Sequence, residues 1–118
     1  MVDTPPSVVD AAATARRLVE ARRQAVALTA YPGAMPADLA SGYAIQDAAI
    51  ALWPDEVAGW KIGLVPPHLR PALGVDRLAG PIFKRNVVRA KAGESVDLPV
   101  MRGGFAAVEA EFILQIAR

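Results

Sequence analysis

The chain of 118 residues contains no cysteine, so neither a disulfide framework nor a thiolate metal site can form. No apolar run approaches the roughly 18 residues that a membrane-spanning helix needs. The first residues also lack the basic and apolar regions of a secretion signal. We therefore expect a cytoplasmic protein with no membrane partner.

An excess of either charge is missing as well, because 13 basic and 12 acidic residues leave a net charge of +1. Nucleic-acid binding normally requires a larger positive excess, so this class of partner is excluded. The pairs Arg16-Arg17 and Arg22-Arg23 are spaced as on a helix and predict a solvated face rather than a phosphate site. The apolar fraction of 53% is high and rich in alanine, which predicts packing against another subunit or further chain.

Two helical patterns fill the first half of the chain. Apolar residues recur at helical spacing from about 8 to 28, with Ser7 in the position of an amino-terminal cap. A second such pattern runs from Leu39 to Trp53 and stops where Pro54 forbids continuation. The sequence therefore predicts a helical region over residues 1–56.

Extended segments dominate the second half. Residues 57–64 are a short apolar segment typical of a strand, and a helical turn follows that ends at Gly74. Residues 81–88 and 105–116 are also predicted to be strands, the last with alternating side chains. The predicted fold class is α+β, with a helical pair followed by a β domain over residues 57–118.

Two glutamates lie one residue apart in the last predicted strand. Glu109 and Glu111 would share one face, with Cα atoms about 6.5 Å apart. The opposite face, from Ala106 to Ile116, has no polar residue and is expected to be buried, and the apolar neighbours of the glutamates predict an apolar setting. Carboxylates this close repel unless a proton or a hard cation such as Mg²⁺ or Mn²⁺ compensates. Spacing alone fits a metal site and the solvent face of an edge strand equally.

A lysine stands between two glycines in Gly59-Trp60-Lys61-Ile62-Gly63-Leu64. In a cleft, such a lysine can bind a carboxylate or transfer a proton. Composition alone favours the alternative, a surface lysine whose stem lies along the strand. His68 has no companion histidine and is predicted to be a loop residue, and Arg102-Gly103-Gly104 is predicted to be a turn feeding the last strand.

Four short motifs occur in order from about residue 40 onwards: Gly42-Tyr43-Ala44-Ile45-Gln46, the lysine motif just described, Leu73-Gly74-Val75-Asp76, and Val108-Glu109-Ala110-Glu111-Phe112. Together they resemble the 2-keto-4-pentenoate hydratase and 2-oxo-3-hexenedioate decarboxylase branch of the fumarylacetoacetate hydrolase superfamily. The resemblance implies the opening strands of that superfamily's mixed β-roll. It also implies a Mg²⁺ or Mn²⁺ ion on Glu109 and Glu111, and Lys61 beside a small 2-oxo acid substrate.

The same resemblance predicts that the site is incomplete within this sequence. The family's third acidic ligand comes from beyond the position of Arg118, and its later strands cover the apolar face of 105–116. We expect either a fragment, or a homo-oligomer or partner chain that supplies the cover. An acidic residue that many relatives carry after the third motif corresponds to Ala79 here, and Val65-Pro66 replaces their Thr-Ser. Hydration in aromatic-compound catabolism is the reaction implied, with decarboxylation, acylpyruvate C–C hydrolysis and an inert association module as alternatives.

Overall fold

The computed structural model describes residues 9–117, and these form an α+β arrangement as predicted. Two helices come first and a two-stranded antiparallel sheet follows. The elements in chain order are α1 (Ala11–Arg23), α2 (Leu39–Leu52), β1 (Val57–Leu64), a 3₁₀ turn (Pro67–Leu69) that continues into α3 (Arg70–Leu73), β2 (Arg77–Phe83) and a second 3₁₀ turn (Lys84–Asn86). No helix among the described residues is long and apolar enough to cross a membrane.

Helix α1 is shorter than the predicted helix over 8–28. The predicted start and the Ser7 cap lie outside the described residues; within them Asp10 is the cap, and its carboxylate accepts a hydrogen bond from the Ala13 amide at 2.9 Å. The helix ends at Arg23 because Ala25 leaves the helical conformation: its φ is 51°, and its carbonyl accepts a hydrogen bond from the Arg102 amide at 2.7 Å. This bridge ties the later chain to the end of α1.

Helix α2 has the predicted bounds to within a residue. The carboxylate of Asp38 caps it by accepting a hydrogen bond from the Ser41 amide at 2.7 Å, and the hydrogen bonds from Ser41 hold the pKa of Asp38 below its ordinary value. The two helices pack on each other through a small core. Its buried members on the helices are Thr14, Ala15, Val19 and Ile45.

The sheet pairs β1 with β2 in an antiparallel register that places Lys61 opposite Gly80. Strand β1 matches the prediction, whereas β2 ends at Phe83 and the predicted strand over 81–88 is wrong in most of its length. The chain turns after Phe83 because Asp55, whose side chain is only 8% exposed, accepts a hydrogen bond from the Arg85 amide at 3.0 Å.

The outer edge of β2 faces α2. The hydroxyl of Tyr43 accepts a hydrogen bond from the Ala79 amide at 3.0 Å, and Ala79 pairs with Ile62 on its other side. The connection between the strands is also closed by hydrogen bonds, since the amide of Val65 donates to the Asp76 carbonyl at 2.9 Å. Gly74 ends α3 with a φ of 68°, the left-handed conformation predicted for it.

The segment 87–117 contains no helix or strand among its described residues. The predicted turn at Arg102-Gly103-Gly104 is confirmed, with a φ of 75° at Gly103, but the predicted strand over 105–116 is wrong. A strand needs a hydrogen-bonding neighbour, and no described backbone pairs with residues 105–116. The expected burial of its apolar face is also wrong, because Val108 and Phe112 are fully exposed.

Candidate functional site

Lys61 has glycines as its nearest neighbours on its face of the sheet, with Leu78 and Ile82 flanking them on the same face. Gly59 and Gly63 share its strand face, and Gly80 is its partner across the sheet. A methyl group added at any of these three glycines would meet no atom within 4 Å. The lysine therefore projects from a glycine-lined notch between Leu78 and Ile82, and its side chain is 42% exposed.

Both predicted metal ligands meet at this lysine. The Nζ atom of Lys61 lies 3.2 Å from Oε2 of Glu109 and also contacts Oε1 of Glu111. The segment after residue 104 thus brings two carboxylates to the ammonium of Lys61, which precedes Glu109 by 48 residues. The structure places the three residues predicted as site residues in one cluster.

The surroundings of this cluster differ from the predicted apolar setting. The side chains of Glu109 and Glu111 are 68% and 45% exposed. That expectation is wrong because the neighbouring side chains Val108 and Phe112 are themselves fully exposed, so both carboxylates remain in contact with water. Exposed ion pairs of this kind contribute at most about 1 kcal/mol each to stability.

Two carboxylates that converge on one positive charge are a donor set suited to a hard divalent cation. Carboxylate oxygens are the ligands that Mg²⁺ and Mn²⁺ prefer, and Mg²⁺ is commonly held by one or two of them together with water. Within residues 9–117 no group of three or more His, Cys, Asp and Glu side chains could hold a metal. The pair Glu109 and Glu111 therefore fits such an ion only as a partial shell completed by water or by groups from elsewhere.

Two other motif residues stabilise the sheet that carries the lysine. The Tyr43 hydroxyl accepts a hydrogen bond from the backbone of β2, and the backbone carbonyl of Asp76 accepts one from the Val65 amide. His68 is exposed in the first 3₁₀ turn and Arg102 belongs to a turn, which agrees with both predictions. The hydrogen bond of Tyr43 has no signal in the sequence beyond the motif itself, because it depends on how α2 meets the sheet.

The prediction of a solvated face is wrong for Arg22. This residue is half-buried, and its guanidinium carbon lies 4.9 Å from the centroid of the Trp53 ring and 5.1 Å from that of Phe83. The signal was present in the sequence, since Arg22 follows Leu18 by four residues and Val19 by three and so shares their apolar face. The other arginines of the two pairs are exposed.

A cavity of about 340 Å³ opens beside this arginine, between the helices and the end of the sheet. Neither Lys61 nor either of the two glutamates is among its lining residues. The cavity and the carboxylate cluster are therefore separate features, and the chemistry predicted from the motifs belongs to the cluster.

Comparisons with protein-family models, curated proteins and solved structures find no match to this chain.

We predict that Lys61 couples weakly but measurably to the two glutamates. In a double-mutant cycle between Lys61→Met and the Glu109→Gln/Glu111→Gln pair, urea unfolding should give a coupling free energy of up to about 1 kcal/mol that shrinks in 1 M salt. The same cycle on the exposed ion pair Lys84 and Glu56, whose charged atoms lie 3.3 Å apart, gives the coupling free energy of a single exposed pair for comparison. A coupling of zero at low salt would contradict the cluster.

Proposed function

We propose that the chain belongs to a divalent-metal-dependent hydratase that acts on small 2-hydroxy-2,4-dienoates, of the 2-keto-4-pentenoate type. The observation that carries the proposal is the contact of Lys61 with both Glu109 and Glu111. The motif order along the chain supports the same proposal, through its resemblance to the hydratase and decarboxylase branch of the fumarylacetoacetate hydrolase superfamily. The proposed enzyme is cytoplasmic and acts on a diffusible substrate.

Each residue of the cluster has a proposed role. Glu109 and Glu111 would hold Mg²⁺ or Mn²⁺, and the bound cation would supply Lewis-acid polarisation of the substrate's carboxylate and adjacent oxygen. With the glutamates holding a cation, the Lys61 ammonium would be available to donate hydrogen bonds to the charged oxygens of the substrate. The glycines around it leave space for a flat, small molecule against the sheet.

The proposed reaction needs one proton shift and one addition. The 2-hydroxyl loses its proton while the terminal carbon C5 gains one, which yields a 2-oxo acid with a double bond between C3 and C4. Water then adds its hydroxyl to C4 and its remaining proton to C3. Negative charge develops on the oxygen at C2 in both steps, and the Lys61 ammonium stabilises this charge by hydrogen bonding.

Related reactions share this chemistry. A decarboxylase would release CO₂ from a 2-oxo acid and so form a similar enolate, and an acylpyruvate hydrolase would cleave a C–C bond. The position corresponding to the acidic residue of many relatives is Ala79, whose side chain cannot move a proton. We therefore assign no acid or base role there, and products from a panel of 2-oxo acids distinguish the three reactions.

A specific observation favours a second candidate of another class, an association module. Several large apolar side chains after residue 104 are more than 80% exposed, which is typical of surfaces that bind another chain. These residues are Phe105, Val108, Phe112, Ile113, Leu114 and Ile116. A homo-oligomer or a partner chain that covers them is compatible with the hydratase, whereas a chain that only associates would bind no metal at the glutamates.

We predict that lysine and metal compete for the two carboxylates. Replacing Lys61 with Met should raise the Mn²⁺ affinity about three- to tenfold, because a unit positive charge a few ångströms from the divalent ion is removed. The Glu109→Gln/Glu111→Gln variant should lose saturable binding. Calorimetric titration measures both effects, with Lys84→Met as a control that leaves the affinity unchanged. Equal binding by the double glutamine variant would contradict the metal assignment.

We predict that the same substitutions remove catalysis. With Mn²⁺ present, Lys61→Met should lower kcat/KM for 2-hydroxypenta-2,4-dienoate at least about 100-fold. This is the smallest effect typical of removing a group that stabilises charge in the transition state. The decay of the dienol absorbance measures the rate, and Lys84→Met should retain it. Mn²⁺ binding without turnover by the native chain would contradict the hydratase, and absence of both would favour the association module.

A further inference from the structure

The cavity beside Arg22 has the composition of a small-molecule site. Its volume of about 340 Å³ lies at the lower end of the range for ligand pockets, which is roughly 300–1,000 Å³. Aliphatic and aromatic side chains from α1, α2, β2 and the later chain form its wall, including Leu18, Ile50, Trp53, Phe83 and Met101. No Asp or Glu is among the lining residues.

Arg22 supplies the single charge of this wall. Its guanidinium lies against the rings of Trp53 and Phe83, which both line the cavity, so the charge is held at the cavity rather than free in solvent. Within residues 9–117, the guanidinium forms no ion pair and donates no side-chain hydrogen bond to the protein. Contact with ring faces leaves the in-plane N–H donors available, and a carboxylate is their usual acceptor.

We propose that this cavity binds a monocarboxylate with a flexible apolar body about the size of octanoate. The carboxylate would accept hydrogen bonds from Arg22, and the alkyl chain would lie against Leu18, Ile50 and Met101. A flexible chain fits better than a flat ring, because Trp53 and Phe83 contact each other at 5.8 Å between centroids and leave no parallel slot between them. This site does not involve Lys61 and does not depend on the hydratase proposal.

The fluorescence of Trp53 reports on occupancy of the cavity. Trp60→Phe leaves Trp53 as the only tryptophan, and Trp60 is an exposed residue of β1 that does not line the cavity. Octanoate, octan-1-ol and octylammonium have matched alkyl chains and differ in their head groups. Each is titrated into this background protein and into its Arg22→Gln and Arg23→Gln variants. Arg23 is exposed and donates to the Leu52 carbonyl, so it is a matched control for loss of one arginine.

We predict saturable binding of octanoate that is at least about tenfold tighter than that of octylammonium. Arg22→Gln should weaken octanoate about tenfold and leave octan-1-ol unchanged, whereas Arg23→Gln should change neither. Equal affinities for octanoate in the Arg22→Gln variant and its parent would overturn the proposal, as would the absence of saturable octanoate binding. If Arg22→Gln does not fold, the Trp60→Phe protein alone tests the proposal. Its failure to bind octanoate more tightly than octylammonium would also overturn the site.

Discussion

The placement of the sheet depends on the buried ring of Phe83. This residue is 3% exposed, and its ring contacts Trp53 of α2 and the guanidinium of Arg22 of α1. Phe83 is the last residue of β2 and pairs with Val57, the first residue of β1, so one end of the sheet is fixed to both helices. The hydrogen bond from Ala79 to Tyr43 then fixes the edge of β2 along α2. These contacts therefore also determine where the glycine-lined notch around Lys61 lies.

In the proposed enzyme, the candidate site has two states, one with Lys61 and one with a divalent ion at the same two carboxylates. Without a divalent ion, Lys61 neutralises part of the charge on Glu109 and Glu111, which would otherwise repel each other on one short segment. The three side chains are between 42% and 68% exposed, so water and salt weaken this interaction and a stronger cation can replace it. In the proposed enzyme, the displaced ammonium is then available to the substrate.

Local signals in the sequence were sufficient for the elements that bond within themselves or to a near neighbour. Pro54 fixed the end of α2, Gly74 the end of α3, and the apolar run of 57–64 gave β1 its observed bounds. The last predicted strand failed because alternation describes which residues could face a core, but a strand also needs a neighbouring backbone. The end of β2 failed for a related reason, since the Asp55 contact that turns the chain joins residues far apart in sequence.

The candidate site was also predicted only in part. The motifs predicted Lys61, Glu109 and Glu111 as site residues, and the structure places them in contact, although their exposure was not foreseen. Arg22 was predicted to be solvated because its pair with Arg23 was considered as a charge cluster. Its position on the apolar face of α1, three residues after Val19, was the more informative feature.

The central claim is that the glutamates of the last segment and the lysine of β1 form one site. Paramagnetic broadening of amide NMR signals by substoichiometric Mn²⁺ tests it most directly, because broadening depends on distance from the ion. We predict broadening at 108–112 together with Lys61 and its cross-strand neighbour Gly80, and sharp signals at Ala13, with no broadening in the Glu109→Gln/Glu111→Gln variant. Broadening confined to 108–112, with Lys61 and Gly80 unaffected, would contradict the account.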